Sequence, residues 1–410
     1  MRLLVITNLF FPDRGGGASV FSDLCFGLVE RGWDVTVFTT HPYYPEWRRK
    51  CEGSRWRLGR EEIRGVTVLR HGLYVPASPS KLMPRVLYEL SFGASLSRSL
   101  LRGGNFDAVM VYCPMLGAVL FAAIRQLLRG EPLWLNVQDI PADAAAASGI
   151  SESGLFDRVA NRLQHWLFNR ADVWSTISPV MLERVSTIRA RNQPVYLCPN
   201  WLNGSLADHI AALPSKLGRM PVSPVRLLYA GNIGKKQGLL EFCQRLGETG
   251  MAFRFQIHGD GGEADTVRRW IAEGSDARFA FGEFLDEAGF TRALHDTDVF
   301  VITEKPGSGA SFIPSKLIPG IASGTPVLAV CDRSGPLGSE LSAAGLGVLV
   351  EWADVDRIED RFRELTGDAA GFTACQQRCL NHARNYSRAV GIGLFDARLK
   401  DLAHRRPANV

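Results

Sequence analysis

The stretch 225–242, "VRLLYAGNIGKKQGLLEF", decides the fold because it contains a strand, a glycine-bounded loop and the start of a helix. An apolar run ends at Gly231, and Lys235 and Lys236 lie in the loop that follows. The loop matches neither G-x-x-x-x-G-K-[ST] nor G-x-G-x-x-G, the two standard nucleotide-binding fingerprints. It leads into a helix, where unpaired backbone N–H groups and a positive dipole end favour anions. The sequence alone leaves two interpretations, a phosphate-binding loop or an ordinary tight turn with solvated lysines.

The alternation of short apolar runs with helical segments continues through both halves of the chain. The predicted strands are "RLLVITNLF", "DVTVFTT", "VTVLRHG", "DAVMVYC", "LWLNVQD", "DVWSTIS" and "PVYLCPN", then "VRLLYAG", "FRFQIHGDG", "RFAFGEF", "DVFVITE", "PVLAVCD" and "GVLVEW". Strands that alternate with helices predict parallel sheets covered on both faces. Each half opens with a strand, a glycine-rich loop and a helix. We therefore predict an α/β fold of two doubly wound, Rossmann-like domains, with both loops at the ligand-binding carboxyl edges of the sheets.

The pattern breaks once, over 203–224, where "NGSLADHIAALPSKLGRMPVSP" is polar, contains proline and lacks strand character. Such a segment is typical of a connection between domains. We predict an N-terminal domain over 1–203 and a C-terminal domain over 204–387. The last segment, from about 388 to 410, is predicted to be helical.

The composition is that of an ordinary globular protein, with 46% hydrophobic and 22% charged residues. The net charge of +5 is too mild to indicate a nucleic-acid-binding protein. The eight cysteines are scattered without a C-x-x-C pair, which fits a reducing cytoplasm. The apolar N-terminus lacks a cleavage site and is better explained as a first strand than as a signal peptide. The uncharged stretch 108–124 is short for a membrane span and predicts a strand followed by a buried helix.

Two other loops predict ligand contacts. In "RGGGAS" (14–19), the run Gly15, Gly16 and Gly17 has a large entropic cost, which favours close approach to a ligand over a merely flexible loop.

The second loop lies within "TEKPGSGASFIPSKLIPGIASGTPV" (303–327), where "PSKL" begins a helix that should stop or kink at Pro319. Ser315 and Lys316 in its first turn would offer a hydroxyl, an ammonium and backbone N–H groups to a diphosphate. The alternative is a capped helix with an exposed lysine.

Three groups of carboxylates in the sequence are candidates for ligand or metal binding. In "NVQD" (136–139), Asp139 ends a buried strand, so it is either a site residue or the N-cap of the next helix. The D-x-D strings at 296–298 and 354–356 would suit Mg²⁺. The first lies at the start of a strand, the edge opposite the ligand, and the second lies in a first helical turn. We predict no metal site.

The region 42–60 interleaves aromatic residues and cations. Trp47 and Trp56 lie among Arg48, Arg49, Lys50, Arg55, Arg57 and Arg60. This composition suits single-stranded nucleic acid, an anionic membrane or a lipid pyrophosphate, and the alternative is a solvated basic loop with the tryptophans packed inward. Nothing else in the chain supports nucleic acid, so we predict no nucleic-acid partner.

The chain resembles the retaining family-4 glycosyltransferases of GT-B fold in the stretches "FFPDRGGGAS", "HPYYPEW", "LYVPASPSKL", "QDIPADA", "STISPVM", "CPNW", "LYAGNIGKKQGL" and "IPSKL". The resemblance is strongest to the branch that assembles bacterial exopolysaccharide repeat units and includes colanic-acid fucosyltransferase-like proteins. It implies two Rossmann-like domains facing across a cleft, with the acceptor on the N-terminal domain and a nucleotide sugar on the C-terminal one. It also implies that the last helix crosses back to the N-terminal domain.

The resemblance also assigns roles to residues. It places Gly15, Gly16 and Gly17 near the donor phosphates and the acceptor. The predicted donor-binding residues are Gly231, Asn232, Lys235, Lys236, Glu304, Ser311, Ser315 and Lys316, and the predicted catalytic residues are Asp139, Gln138 and Lys236. Trp47, Arg48, Arg49, Trp56 and Arg57 form a predicted acceptor or membrane patch.

Four positions depart from the family pattern. Gln138 stands where the family commonly has a histidine, and its amide can hydrogen-bond a sugar hydroxyl but cannot exchange protons as histidine does. Asn232 replaces the usual diphosphate-binding arginine, so Lys235 or Lys236 must supply the charge. The E-x7-E motif falls on Ser311 and Pro319, which leaves Glu304 as a substitute for the glutamate that commonly binds the ribose.

The function that the resemblance implies is retaining, metal-independent transfer of a sugar from a UDP- or GDP-linked donor to a lipid-pyrophosphate-linked saccharide. The nucleotide sugar is a co-substrate, and no cofactor is expected. The protein would work in the cytoplasm, peripherally on the inner face of the cytoplasmic membrane. Two alternatives stay open, namely a nucleotide-sugar epimerase of the same fold and a non-catalytic module that binds sugar nucleotides or membranes.

Overall fold

The computed structural model describes residues 1–13, 17–51, 54, 56–77, 82–102, 104–140, 154–308 and 313–404. The chain forms two units, of which unit 1 is Met1–Pro199 with Ala389–Val410 and unit 2 is Asn200–Arg388. The sequence predicts a division at 203–204, and the units divide at 199–200.

Unit 1 is built on an eight-stranded sheet of order β3-β4-β2-β1-β5-β6-β7-β8. Its strands are β1 Arg2–Ile6, β2 Asp34–Thr40, β3 Gly59–Ile63, β4 Val66–His71, β5 Ala108–Cys113, β6 Leu133–Val137, β7 Val173–Thr176 and β8 Val195–Leu197. Its helices are α1 Ala18–Glu30, α2 Leu82–Ser97, α3 Leu116–Arg129, α4 Gly154–Phe168 and α5 Pro179–Ile188. All neighbouring strands are parallel except β3 and β4.

Unit 2 is built on a six-stranded parallel sheet of order β11-β10-β9-β12-β13-β14. Its strands are β9 Val225–Asn232, β10 Phe253–Asp260, β11 Phe279–Gly282, β12 Val299–Thr303, β13 Val327–Val330 and β14 Gly347–Val350. Its helices are α6 Gly204–Ala211, α7 Leu239–Gly247, α8 Ala264–Gly274, α9 Glu287–Asp296, α10 Leu317–Ala322, α11 Pro336–Ala344, α12 Ile358–Thr366 and α13 Ala369–Ala383. Two 3₁₀ turns, Trp352–Arg357 and Arg384–Tyr386, complete it.

The predicted α/β architecture is confirmed, and every predicted strand is present. The central strands β1, β5 and β6 are buried almost throughout, as parallel strands covered on both faces should be. β3 is the strand that the sequence did not predict. Its residues "GREEI" are mostly exposed because it is an antiparallel edge strand, so the apolar signal is missing.

The last helix, α14 (Arg388–His404), packs on unit 1. The Trp33 indole Nε1 donates a hydrogen bond to Asp396 Oδ1 at 2.8 Å. The Phe395 ring stacks on Trp134 with centroids 5.4 Å apart. A Cβ on Gly27 would lie 2.2 Å from the Ile392 side chain, so this glycine is what lets the helix approach α1 closely. The chain therefore leaves unit 1 after Pro199 and completes it with α14.

The stretch 108–124 forms β5 and most of α3, as predicted, but the expectation of a buried helix was wrong on one face. Leu120, Ile124, Leu127 and Leu128 of α3 are exposed, because only the opposite side of the helix packs on the sheet. Within the described part of the chain, no helix combines the length and apolar character that crossing a membrane requires.

Candidate active site

The glycine-bounded loop that opens unit 2 follows β9 and leads into α7. Gly231 has φ +135°, and Gly238, the residue before α7, has φ +61°. Both values lie in the region that favours glycine, which explains why the loop is bounded by glycines. Lys235 and Lys236 between them are exposed.

The loop is held by its backbone and by Gln237. The Lys305 N–H donates to the Lys236 carbonyl at 2.7 Å, and Ser308 Oγ donates to the same carbonyl at 3.0 Å. Gln237 Oε1 accepts from the Gly234 N–H at 2.9 Å and from Asn232 Nδ2 at 3.3 Å. The loop is therefore fixed against the segment after β12, while both lysine side chains reach solvent.

Lys316 lies at the start of α10 and extends toward the end of β9. Its ammonium lies 4.0 Å from the centroid of the Tyr229 ring. A Cβ on Gly231 would lie 3.7 Å from Lys316 Cδ, so the lysine stem passes beside that glycine. The Tyr229 hydroxyl donates to the Asn232 carbonyl at 2.6 Å. Lys316 is thus placed at the carboxyl edge of the first strand of the unit.

The prediction that the "PSKL" helix would stop or kink at Pro319 was wrong. α10 runs from Leu317 to Ala322 with Lys316 as its N-cap residue. Pro319 falls in the first turn, where its missing N–H has no intrahelical partner to lose. Ser315 is exposed just before the helix, and Ser311 lies outside the described residues.

Glu304 follows β12 and is fixed by main-chain bonds. Its N–H donates to the Val330 carbonyl at 2.9 Å, and its carbonyl accepts from Trp352 Nε1 at 2.6 Å. Burial raises the pKa of the Glu304 carboxyl to about 7, against the opposing effect of Lys316. Burial lowers the pKa of Lys316 to about 8, and Glu304 counteracts part of that. Both groups therefore titrate near neutral pH.

The sequence analysis missed two glycines at the neighbouring strand end. A Cβ on Gly259 would lie 1.9 Å from the Gly231 carbonyl oxygen, and one on Gly261 would lie 2.5 Å from the Ile233 carbonyl oxygen. Ile233 N–H also donates to the Asp260 carbonyl at 2.8 Å. The "GDG" that closes the predicted strand "FRFQIHGDG" was the signal for this contact, because glycines at a strand end indicate close backbone approach.

In unit 1, the strand ends β5 and β6 bring polar groups to one edge. Gln138 and Asp139 follow β6 and are half-buried, with Gln138 Nε2 donating to Asn136 Oδ1 at 2.6 Å. Asp139 Oδ1 accepts from the Ile140 N–H at 2.9 Å. The segment that would test Asp139 as a helix N-cap, 141–153, lies outside the described residues.

Glu89 of α2 also lies near the ends of β5 and β6, and the sequence analysis did not predict it as a site residue. Burial raises the pKa of its carboxyl to about 7, partly offset by Arg85. The Gly117 N–H at the start of α3 donates to Glu89 Oε2 at 3.5 Å. Glu89 and Asp139 both add to the burial effect that raises the pKa of the Cys113 thiol. Nothing in the residues around 89 pointed to this carboxyl, because the contact depends on how α2 packs against α3.

The predicted glycine-rich loop and basic patch are described in part. Gly15 and Gly16 lie outside the described residues, and Gly17 precedes α1. A Cβ on Gly17 would lie 2.3 Å from the Phe21 ring, so this glycine permits a close contact within the protein.

Trp47 and Trp56 have different surroundings. The Trp47 ring packs beside Tyr43 and Tyr88, with centroids 5.7 and 5.8 Å away. Asn8 Nδ2 donates to both of those hydroxyls, at 2.9 Å to Tyr43 and 2.7 Å to Tyr88. Trp56 is 42% exposed. Trp47 is therefore one wall of an aromatic and amide cluster near the end of β1, rather than an exposed anchor.

The cations of the patch also differ. Arg48 and Arg57 are exposed, whereas Arg49 is half-buried and donates to the Cys51 carbonyl at 2.7 Å.

Among the residues that the structure describes, no group of three or more His, Cys, Asp or Glu side chains could hold a metal ion. Asp298, in the first D-x-D string, is paired with Arg226 at 2.6 Å.

Comparisons with known proteins show which proteins this chain resembles. Residues 15–201 match the model of the glycosyl transferase 4-like domain family. Over 378 residues the chain is 28% identical to WcaI of Escherichia coli strain K12, covering 89% of this chain and 92% of that protein. The name of WcaI describes it as a glycosyl transferase of colanic acid biosynthesis.

Solved structures show the fold. Sucrose-phosphate synthase from Thermosynechococcus elongatus superposes with a TM-score of 0.69 at 16% identity, over 98% of each chain. Anabaena HepE, solved in complex with UDP and glucose, superposes with a TM-score of 0.66 at 14% identity, over 98% of this chain and 100% of that one. The chain therefore contains a glycosyl transferase 4-like domain and has the GT-B fold, in agreement with the predicted family, the family-4 glycosyltransferases.

Proposed function

We propose that this glycosyltransferase moves a sugar from a UDP- or GDP-linked donor to a saccharide carried on a lipid pyrophosphate, as a step in surface polysaccharide assembly. The similarity to WcaI supports the polysaccharide role, and the similarity to HepE supports a nucleotide sugar as donor. The observation that carries the proposal is the Lys316 ammonium, held over Tyr229 beside Gly231. It places a cation where the edge of a parallel sheet receives ligands.

The donor diphosphate would bind to unit 2. Negative charge grows on its phosphate oxygens as the bond to the sugar breaks, so cations fixed in advance lower the barrier. Lys316 is fixed by its stem and by the Tyr229 ring. Lys235 and Lys236 add charge from a loop whose backbone is held by Lys305 and Ser308. The backbone N–H groups at the start of α7 add to the same field.

The departures from the family pattern fit this assignment. Asn232 replaces the family arginine and takes part in holding the loop through Gln237, so it positions the loop but brings no charge. Lys316 thereby becomes the principal cation for the leaving group. Glu304 has its main chain fixed beside the same site and would accept hydrogen bonds from the ribose hydroxyls.

The acceptor would bind to unit 1. Gln138 and Asp139 would orient the sugars through hydrogen bonds, and Glu89 adds a carboxyl that titrates near neutral pH. Trp47, half-buried against the buried Tyr43 and Tyr88, offers a flat apolar face of the kind that suits sugar rings. The family resemblance assigns Gly15, Gly16 and Gly17 a ligand-contacting role.

We propose retention of anomeric configuration, with a donor phosphate oxygen receiving the proton of the acceptor hydroxyl as the new glycosidic bond forms. The lysine cations would take the charge-stabilising role, so no metal and no cofactor beyond the nucleotide sugar would be needed. Because a lipid-linked acceptor is confined to a membrane, the protein would work peripherally on the inner face of the cytoplasmic membrane.

The test is a panel of UDP- and GDP-sugars, each incubated with and without a lipid-pyrophosphoryl saccharide, followed by analysis of all products. Nucleotide release together with a lengthened lipid-linked saccharide supports the proposal, and the anomeric configuration of the product tests retention. An isomerised donor without acceptor would indicate an epimerase instead. Binding of the nucleotide sugar without any product would indicate a non-catalytic module. Activity in the presence of EDTA tests independence from metal ions.

A further inference from the structure

The exposed side of α3 is apolar at successive helical turns. Leu120, Ile124, Leu127 and Leu128 follow the spacing i, i+4, i+7 and i+8, which places them on one helix face. Leu127 and Leu128 are 62% and 60% exposed. A surface helix normally directs charged or polar residues to solvent, so the exposed side of α3 is unusually apolar for a helix that faces water.

α2 extends the same surface. Met83, Leu87 and Leu90 lie at the spacing i, i+4 and i+7, and Met83 and Leu90 are 67% and 63% exposed. α2 packs closely against α3, because a Cβ on Gly93 would lie 3.2 Å from the Gly117 carbonyl oxygen. The two exposed apolar stripes therefore belong to neighbouring helices.

α4 packs on α3 as well and contributes Leu163 and Trp166, both of them exposed. The Arg170 guanidinium lies 4.7 Å from the Trp166 ring centroid. α2, α3 and α4 connect strands that succeed one another in one direction across the sheet, so right-handed crossovers place all three helices on one side. We call these nine residues of α2, α3 and α4 the apolar helix face: Met83, Leu87, Leu90, Leu120, Ile124, Leu127, Leu128, Leu163 and Trp166.

The charges on these helices have one predominant sign. Arg85, Arg129, Arg158 and Arg162 are exposed or half-buried. Among the described side chains of the three helices, Glu89 is the single carboxylate, and it faces Arg85 at 4.0 Å. An apolar surface accompanied by arginines complements an anionic lipid surface, where the apolar side chains enter the acyl boundary and the arginines meet phosphate groups.

We propose that the apolar helix face of unit 1 binds peripherally to an anionic phospholipid bilayer. A second copy of the chain is the less favourable occupant, because a two-fold interface would set the same arginines against each other. The exposed Trp166 beside Arg170 is the pair that bilayer interfaces favour. The apolar helix face would hold the enzyme at its lipid-linked acceptor, so its role in catalysis rests on the proposed function, whereas vesicle binding is measured without any transfer reaction.

The experiment is flotation of the full chain with vesicles of phosphatidylethanolamine and phosphatidylglycerol, compared with phosphatidylcholine vesicles, at low and high salt. The wild-type protein should float with the anionic vesicles and much less with the neutral ones. Leu90→Gln and Leu127→Gln should each reduce the partition coefficient about tenfold. Arg158→Gln and Arg162→Gln should each reduce it about fivefold at low salt.

The matched control is Phe284→Gln, which changes another exposed side chain, in unit 2, and should bind as wild type does. Circular dichroism and thermal unfolding of each variant establish that the fold is retained. Failure of the wild-type protein to bind anionic vesicles, or wild-type binding by the Leu90→Gln/Leu127→Gln double variant, overturns the proposal. A dimer that the same double substitution converts to a monomer would also overturn it, in favour of a second copy as the occupant.

Discussion

The Lys316 ammonium lies 4.0 Å from the centroid of the Tyr229 ring, so a helix-start lysine is held over an aromatic side chain of the neighbouring strand. This contact fixes a long, otherwise flexible side chain before any ligand arrives. A cation that is already in place costs little reorganisation when charge develops on a leaving group. It follows that Lys316 should matter more for turnover than the exposed Lys235 and Lys236.

Replacing Lys316 tests this ranking. Lys316→Ala should lower kcat/KM for the donor about 30-fold or more, since a charged hydrogen bond is worth roughly 2 kcal/mol or more. Lys235→Ala and Lys236→Ala should each have smaller effects. Steady-state kinetics with a fixed acceptor concentration gives the comparison. Lys400→Ala, which removes a half-buried lysine of α14 that is paired with Asp396 at 2.9 Å, serves as control. Wild-type turnover in Lys316→Ala would remove the assignment.

The pKa of Lys316, lowered to about 8 by burial, predicts how nucleotide binding depends on pH. The ammonium is charged below that pKa and neutral above it, so affinity for UDP or GDP should fall as the pH rises above about 8. Lys316→Arg keeps a permanent charge and should bind with little change up to about pH 9.5. Calorimetric titrations of both proteins between pH 7 and 9.5 measure this. Parallel loss of affinity in the arginine variant would assign the titration to another group.

Glu304 predicts a pH dependence of stability. Burial raises the pKa of its carboxyl from 4.5 to about 7, so the folded state binds a proton more tightly than the unfolded state does. That stabilisation is present below pH 4.5 and is lost as the pH rises through 7. Glu304→Gln removes the titration and should raise the Tm relative to wild type at pH 8 more than at pH 5. Equal Tm differences at both pH values would contradict this.

The glycine contact between β9 and β10 predicts a sharp difference between two alanine substitutions. In Gly259→Ala the new Cβ would lie 1.9 Å from the Gly231 carbonyl oxygen, so the strand ends must separate. We expect a loss of about 2 kcal/mol in stability together with weaker nucleotide binding. Gly262→Ala is the control, because its Cβ would meet nothing within 4 Å. Chemical denaturation and UDP titration of the two variants decide the matter.

Much of this molecule could be predicted from periodicity and glycine placement. The apolar runs before Gly231 and Asp139 predicted two of the strands, and the family resemblance predicted the fold. The edge strand β3 was missed because "GREEI" faces solvent and carries no apolar alternation. The exposed face of α3 was missed because an uninterrupted apolar sequence does not reveal which side of the helix the sheet covers.

Site residues that depend on packing between distant segments were harder to predict. Lys316 was named as a phosphate-binding residue, but its contact with Tyr229 depends on how α10 starts relative to β9. Glu89 had no local signal at all, because its environment is created by the close approach of α2 to α3. The end of a strand can be predicted from local sequence, whereas the burial of a single charged side chain depends on how distant segments pack in the folded unit.

Replacing Asp139 tests whether unit 1 positions the acceptor independently of donor binding by unit 2. Its carboxylate belongs to unit 1, whereas Lys316 and the glycine-bounded loop belong to unit 2. Asp139→Asn keeps the shape and hydrogen-bonding capacity but removes the charge, so we expect kcat to fall about tenfold or more while the Kd for UDP stays unchanged. Glu183→Gln removes an exposed carboxylate of α5 and should change neither value. If Asp139→Asn weakened UDP binding as much as it lowered kcat, the carboxylate would belong with the donor and the division of labour between the units would be wrong.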